Sequence, residues 1–213
     1  AGSESCAACH QSIAVSHAHT PHFLTSQAAD ESSVKGSFDS SSNLLVLNER
    51  LKVVMEQTSS GLFQKAIIDG VEVEKKPFDI TIGSGRQGQT YLYWEDNALF
   101  QLPVSYYAPL DIWTNSPGYP SDQIVFNRNI PARCLECHST YAKVGKTIGA
   151  RETFDPTQVM LGVDCERCHG PAAQHVSFHR KFPAEKEAKH IVNPEKLSLL
   201  SKLDEQLEFI DLN

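Results

Sequence analysis

Three times the chain sets two cysteines three positions apart with a histidine directly after the second: Cys6-Ala-Ala-Cys9-His10, Cys134-Leu-Glu-Cys137-His138 and Cys165-Glu-Arg-Cys168-His169. These motifs use every cysteine the chain has. The spacing is mechanical. One helical turn places both sulfurs along one edge of a flat macrocycle and the imidazole under its face. The chemistry predicted is covalent attachment of haem c, the thiols forming thioethers with the vinyl groups and His10, His138 and His169 taking iron as proximal ligands. Shuffling 6 Cys and 9 His through 213 residues would yield roughly 0.007 such motifs. Structural zinc also uses Cys-x-x-Cys pairs but has no need of histidine after the second cysteine. Three disulfides would suit a secreted chain and would leave the repeated histidine unexplained. The expectation is therefore three covalent c-type haems, each with one iron.

The elements that must position these motifs are short. Residues 4–30 carry the first motif and a helical stretch ending near Ala29, with Thr20 as N-cap and Pro21 at the first helical position. Residues 31–43 are serine-rich and read as a loop. Over 44–104 the patterning changes to alternation, as in Leu51-Lys52-Val53-Val54-Met55-Glu56 and Phe78-Asp79-Ile80-Thr81-Ile82. Asp69-Gly70 and Glu95-Asp96-Asn97-Ala98 mark hairpins. This stretch is expected to be a small antiparallel sheet of about four to six strands. Residues 105–131 read as irregular, and residues 132–183 as short helices and loops bearing the second and third motifs. Asn193-Pro194-Glu195 opens a final helix over 193–210 with Leu200, Leu203, Leu207 and Ile210 on one face. The fold class expected is α+β, a single multihaem domain over 1–213: haem-bearing short helices and loops packed with a small antiparallel β-sheet insertion, plus a C-terminal helix.

Six histidines lie outside the motifs: His17, His19, His22, His175, His179 and His190. Three haems need at most three distal ligands, so imidazole pairs are favoured. Of the two methionines, Met55 reads as core and Met160 as packing. Gly83-Ser84-Gly85-Arg86-Gln87-Gly88 matches G-x-G-x-x-G, but residues 89–94 read as a strand and not a helix, so it is a glycine-rich strand connection and not a dinucleotide site. Trp94, Trp113, Tyr91, Tyr93, Tyr106 and Tyr107 read as core or as packing on a haem face.

Formal net charge is −7. That argues against nucleic acid, which needs basic patches, and is compatible with steering to a basic redox partner. No apolar run approaches the length of a membrane span. The chain opens without a basic or apolar leader, and residue 1 reads as the end left by signal cleavage. Haem is attached covalently outside the cytoplasm, so the expected location is periplasmic, extracellular or cell-surface.

The chain resembles the multihaem c-type cytochromes related to the tetrahaem electron carrier of ammonia-oxidising bacteria. The resemblance runs from about Glu4 to Lys196. It is carried by CAACHQSIAVSHAHTPHFLTS, by GSGRQGQTYLYW and LFQLPVSYY, by RCLECHSTY and by GVDCERCHGPAAQHV. It implies that His175, after Gly-Pro, is a distal haem ligand, and that His22 is another, with His19 beside it. Where larger relatives carry a fourth Cys-x-x-Cys-His, this chain has none, which implies a trihaem version. His175 lies six residues after His169, a length that extends to roughly 20 Å at most, so His175 is expected to serve a different haem, the first. His22 is expected to cross to the second or third haem, and His19 to take the remaining iron.

Electron transfer between redox partner proteins, such as other cytochromes, is the leading function. One rival is a multihaem oxidoreductase acting on a small nitrogen or sulfur species at an open haem, which would also need acid–base groups. Another is a structural subunit that wires haems through a larger complex or filament.

Overall fold

The computed structural model describes residues 1–193. The helix expected over 193–210 lies, beyond Asn193, outside the described residues. The fold is α+β. Its helices are α1 (Ser3–Ala7), α2 (Gln11–His17), α3 (Ala132–His138), α4 (Cys165–His169) and α5 (Ala173–Lys181). Its strands are β1 (Ser26–Ala28), β2 (Leu44–Val46), β3 (Leu51–Thr58), β4 (Gly61–Ile68), β5 (Val71–Pro77), β6 (Ile80–Ile82) and β7 (Gly88–Glu95). They continue as β8 (Ala98–Gln101), β9 (Val104–Tyr107), β10 (Ile112–Asn115), β11 (Arg128–Asn129), β12 (Ser139–Ile148) and β13 (Arg151–Leu161). The chain divides into two units, Ala1–His17 with the segment from Asp164 onward, and Ala18–Val163.

In the unit Ala18–Val163 the strand ladders are antiparallel. A four-stranded sheet runs β2-β3-β4-β5, and a seven-stranded sheet runs β1-β6-β7-β8-β11 with β9 joining β7 and β10 joining β9. Both predicted hairpins form. Asp69 and Gly70 take φ of 51° and 80° between β4 and β5, and Asp96 and Asn97 take 50° and 60° between β7 and β8. Positive φ at both central residues gives the turn the same hand of twist as its strands.

The β-rich part is larger than expected. Residues 105–131, read as irregular, contain the end of β9, all of β10 and β11, and their pairings. Residues 139–161, expected as loop, form the two-stranded hairpin β12–β13. Its pairing carries several register shifts and its outer half is exposed, so clean alternation is missing from the sequence. The helix expected from Pro21 is only a 3-10 turn, Phe23–Thr25. Thr20 Oγ1 does accept the Phe23 N–H at 3.3 Å. The next residues then join a ladder, Ser26 opposite Ile82 and Ala28 opposite Ile80, and a paired strand cannot also continue a helix.

The core of this unit lies on both faces of β7 and β8. Tyr91, Tyr93 and Phe100 join Val53, Met55, Leu62, Leu102, Val104 and Trp113 in one buried cluster. Leu92 and Leu99 point the other way, into a cluster with Ile80, Ile130, Leu135 and Phe154. Burial on both faces is why β7 reads as a nearly continuous apolar run. Met55 is fully buried, and Trp113 and Tyr91 meet at 5.8 Å between ring centroids, both as core residues. The GSGRQG segment connects β6 to β7 in one antiparallel pair, so no helix succeeds it. Gly88 is required there by contact: a Cβ would stand 2.6 Å from the Tyr106 carbonyl oxygen.

Candidate functional site

The first and third motifs lie in the unit built from Ala1–His17 and the segment from Asp164. Cys6 sits in α1, with Cys9 and His10 in the turn after it, where the His10 N–H donates to the Cys6 carbonyl at 2.8 Å. The third motif is α4 itself. Asp164 starts that helix by accepting the Cys165 N–H at 2.7 Å, and it also accepts the Cys165 thiol at 3.1 Å. Burial, followed by the bond to Asp164, pushes the Cys165 thiol up to about 12. No two of the six cysteines are joined in a disulfide.

Glu166, the second residue of α4, ties this unit together. Its carboxylate accepts the Ala172 N–H at 2.7 Å, the Gly2 N–H at 2.9 Å and the Ala1 amine at 2.8 Å. Burial opposes its charge, but these donors outweigh burial and hold the carboxyl down to about 2. The residue between Cys165 and Cys168 thus fixes α1 against α4.

Helix α5 carries His175 and His179. The rings of His10 and His175 face each other with centroids 6.5 Å apart and planes within 17°. His10 and His175 are therefore the two imidazoles that would hold the iron of a haem attached at Cys6 and Cys9. A cavity of about 530 Å³ is lined by Cys6, Cys9, His10 and His175, with Arg180 and Lys186 supplying positive charge and Glu185 one opposing carboxylate. A second cavity of about 320 Å³ shares Cys6, His10 and His175 and adds Cys165 and His169. Both fall within the usual range for cofactor sites, about 300–1,000 Å³.

The second motif lies in the other unit. Cys134, Cys137 and His138 sit on α3, and the residue after Cys134, Leu135, is buried at 2% exposure in the cluster beneath the sheet. The two cysteines are exposed. One side of a single helical turn therefore anchors to the core while the other presents both thiols.

Three imidazoles have Nδ1 engaged: His169 with the Val192 carbonyl at 2.9 Å, His175 with the Lys189 carbonyl at 2.8 Å, and His138 with Thr25 Oγ1 at 3.0 Å. A carbonyl can only accept, so Nδ1 of His169 and His175 carries a proton, which leaves Nε2 as the nitrogen that would bind a metal. Such outer bonds orient metal-binding imidazoles. The residues present fit haem c. A tetrahedral zinc site needs four converging donors, and among the described residues no three His, Cys, Asp or Glu side chains converge on a metal position.

The structure thus brings His175 to His10. His22 and His19 are both exposed, His22 immediately ahead of the 3-10 turn whose Thr25 meets His138, and His19 in the preceding turn. His17 lies 3.7 Å from Asp164. Sequence reasoning missed Thr25, Glu166 and Leu135. Asp164 before Cys165 is the one supporting residue with a local signal, as an N-cap side chain.

Residues 121–170 match the model of a family described as cytochrome c554 and c-prime, a stretch that includes α3 and α4. Among curated proteins none matches this chain. Among solved structures it is similar to the crystal structure of the outer cell wall cytochrome OcwA, with a TM-score of 0.50 and 18% identity. That alignment covers 92% of this chain and 35% of the other, so the chain spans about a third of its length. The likeness is to cytochromes. At this identity the structural match is one of fold, and the family match is confined to residues 121–170 of the 213.

Proposed function

We propose that this chain holds three c-type haems, one at each Cys-x-x-Cys-His, and carries electrons outside the cytoplasm. The observation that carries the reading is the opposition of His10 and His175 at 6.5 Å across a cavity that Cys6 and Cys9 line. Haem supplies one-electron chemistry whose potential the protein sets by axial ligand, burial and hydrogen bonding. The chain's own part is to hold and tune. Cys6 and Cys9, Cys134 and Cys137, and Cys165 and Cys168 provide the attachment points, with His10, His138 and His169 as proximal ligands. His175 is the distal ligand at the first site. His22 and His19 remain the distal candidates at the other two. Arg180 and Lys186, which line the larger cavity, neutralise carboxylates of the bound group.

No proton-transfer residue is needed for this work. The partners are other redox proteins, and the chain suits a module of a longer cytochrome. Its similarity to part of a structure titled an outer cell wall cytochrome supports a periplasmic or cell-surface location. Intact mass after acid–acetone extraction tests the reading. Three haem additions are expected. The bare polypeptide mass, or zinc by elemental analysis, would overturn it.

A further inference from the structure

We propose that Thr25 is a positioning residue for His138: its hydroxyl accepts a hydrogen bond from Nδ1–H and lowers the potential of the second haem, by less than the Val192 carbonyl lowers that of the third. This rests on the haem reading of Cys134, Cys137 and His138 given above.

The contact is built from several directions within one unit. Thr25 Oγ1 lies 3.0 Å from His138 Nδ1, and both groups are partly buried. The Thr25 carbonyl accepts the Gly83 N–H at 2.7 Å, which fixes its backbone on the β6–β7 connection. The neighbouring Ser26 hydroxyl donates to the His138 carbonyl and accepts the Gly162 N–H at 2.8 Å. The His22 carbonyl accepts the Val163 N–H at 2.9 Å. Turn 23–25 is therefore clamped between α3 and the end of β13, and its hydroxyl has little freedom to leave the imidazole.

The direction of the effect comes from acceptor strength. When Nε2 binds iron, Nδ1 must carry the proton, so the threonine oxygen is the acceptor. A stronger acceptor pulls that proton further and makes the imidazole more basic, which favours ferric iron. His169 gives its Nδ1 proton to an amide carbonyl at 2.9 Å. With Nε2 on iron, His138 would donate from Nδ1 to a neutral hydroxyl, a weaker acceptor than an amide carbonyl. Of these two proximal imidazoles His138 is the less electron-rich, and its iron is the easier to reduce.

The test uses the haem-loaded protein. Proteolytic mapping first establishes haem on the Cys134–Cys137 peptide in wild type and variants. Spectroelectrochemical titration then reads the three potentials in wild type, Thr25→Val and Thr25→Ser. Thr25→Val removes the acceptor and keeps the branched shape. It should raise one potential and leave the other two in place. A shift of up to tenfold in that site's ferric–ferrous equilibrium, about 59 mV for one electron, is expected. Thr25→Ser keeps a hydroxyl and should restore the wild-type value. Thr25→Ala makes the same prediction as Thr25→Val and replaces it if that variant does not accumulate. Unchanged potentials in a fully loaded Thr25→Val or Thr25→Ala protein would overturn the proposal and leave the haem reading intact. So would an equal shift in Thr25→Ser, which would point to packing. A wild-type peptide without haem would overturn the haem reading itself, and the proposal with it.

Discussion

His10 and His175, 165 residues apart in the chain, stand with ring centroids 6.5 Å apart and planes within 17°. The Lys189 carbonyl holds the His175 ring through Nδ1 at 2.8 Å. This pairing answers a question of reach. His175 comes six residues after His169, and α4, Gly170-Pro171 and α5 spend that length turning the chain. The ring is delivered to the first motif.

His175→Ala should leave the first haem without its distal imidazole. The reduced protein should then bind carbon monoxide rapidly at one haem, whereas the wild type should bind it poorly. His175→Met should keep six-coordination and raise that haem's potential, because thioether ligation favours ferrous iron. If the third haem were the one to respond, the pairing with His10 would be wrong.

Leu135 is the buried anchor of α3, at 2% exposure beside Leu92, Leu99 and Phe154. Leu135→Ala should cost about 2–5 kcal/mol of stability, the usual range for such a cavity. Thermal unfolding followed by far-ultraviolet circular dichroism measures this. Arg133→Ala, on the same helix and exposed, should cost far less; equal losses would place the anchor elsewhere.

Gly162 takes φ of 71°, and a Cβ there would meet the Phe23 carbonyl oxygen at 2.4 Å. Gly162→Ala should therefore loosen the clamp on turn 23–25 as well as strain the backbone. Strain of this kind costs about 1–3 kcal/mol. The expected readout is a lower unfolding midpoint together with a spectral change at the His138 site. A wild-type midpoint would show that the turn yields easily.

Glu166 should give the protein a share of its acid stability. Its carboxyl is lowered to about 2 in the folded state, against 4.5 for the free group. A carboxyl lowered by folding contributes fully above the free value and loses that contribution as pH falls toward the folded value. Wild type should exceed Glu166→Gln in stability near pH 6, and the gap should close between about pH 4.5 and pH 2. Denaturant titrations at those pH values measure it. A gap independent of pH would assign the loss to shape instead of charge.

Much was legible without coordinates. The three Cys-x-x-Cys-His motifs are local chemistry, and a motif whose parts lie within one helical turn is readable from spacing alone. The Asp69-Gly70 and Asp96-Asn97 turns were legible for the same reason, because their positive φ is a property of the residues themselves. So was the strand after GSGRQG, which ruled out a nucleotide loop.

What the tertiary structure decided is everything that depends on two distant segments meeting. Residues 139–161 became a hairpin because β12 and β13 pair with each other, with bulges that erase alternation. Ser26 entered a strand, against the helix signal at Thr20-Pro21, because Ile82 stood opposite it. Leu135 looked like a filler between two cysteines until a core cluster formed beneath it. Thr25 carries no motif. Its hydroxyl matters only because Gly83, Gly162 and Val163 hold that turn in place. The sequence by itself determined where two thiols and an imidazole fall within five consecutive residues. Which imidazole faces which, and what bonds its second nitrogen, was decided by folding, because those partners lie from 14 to 165 residues apart.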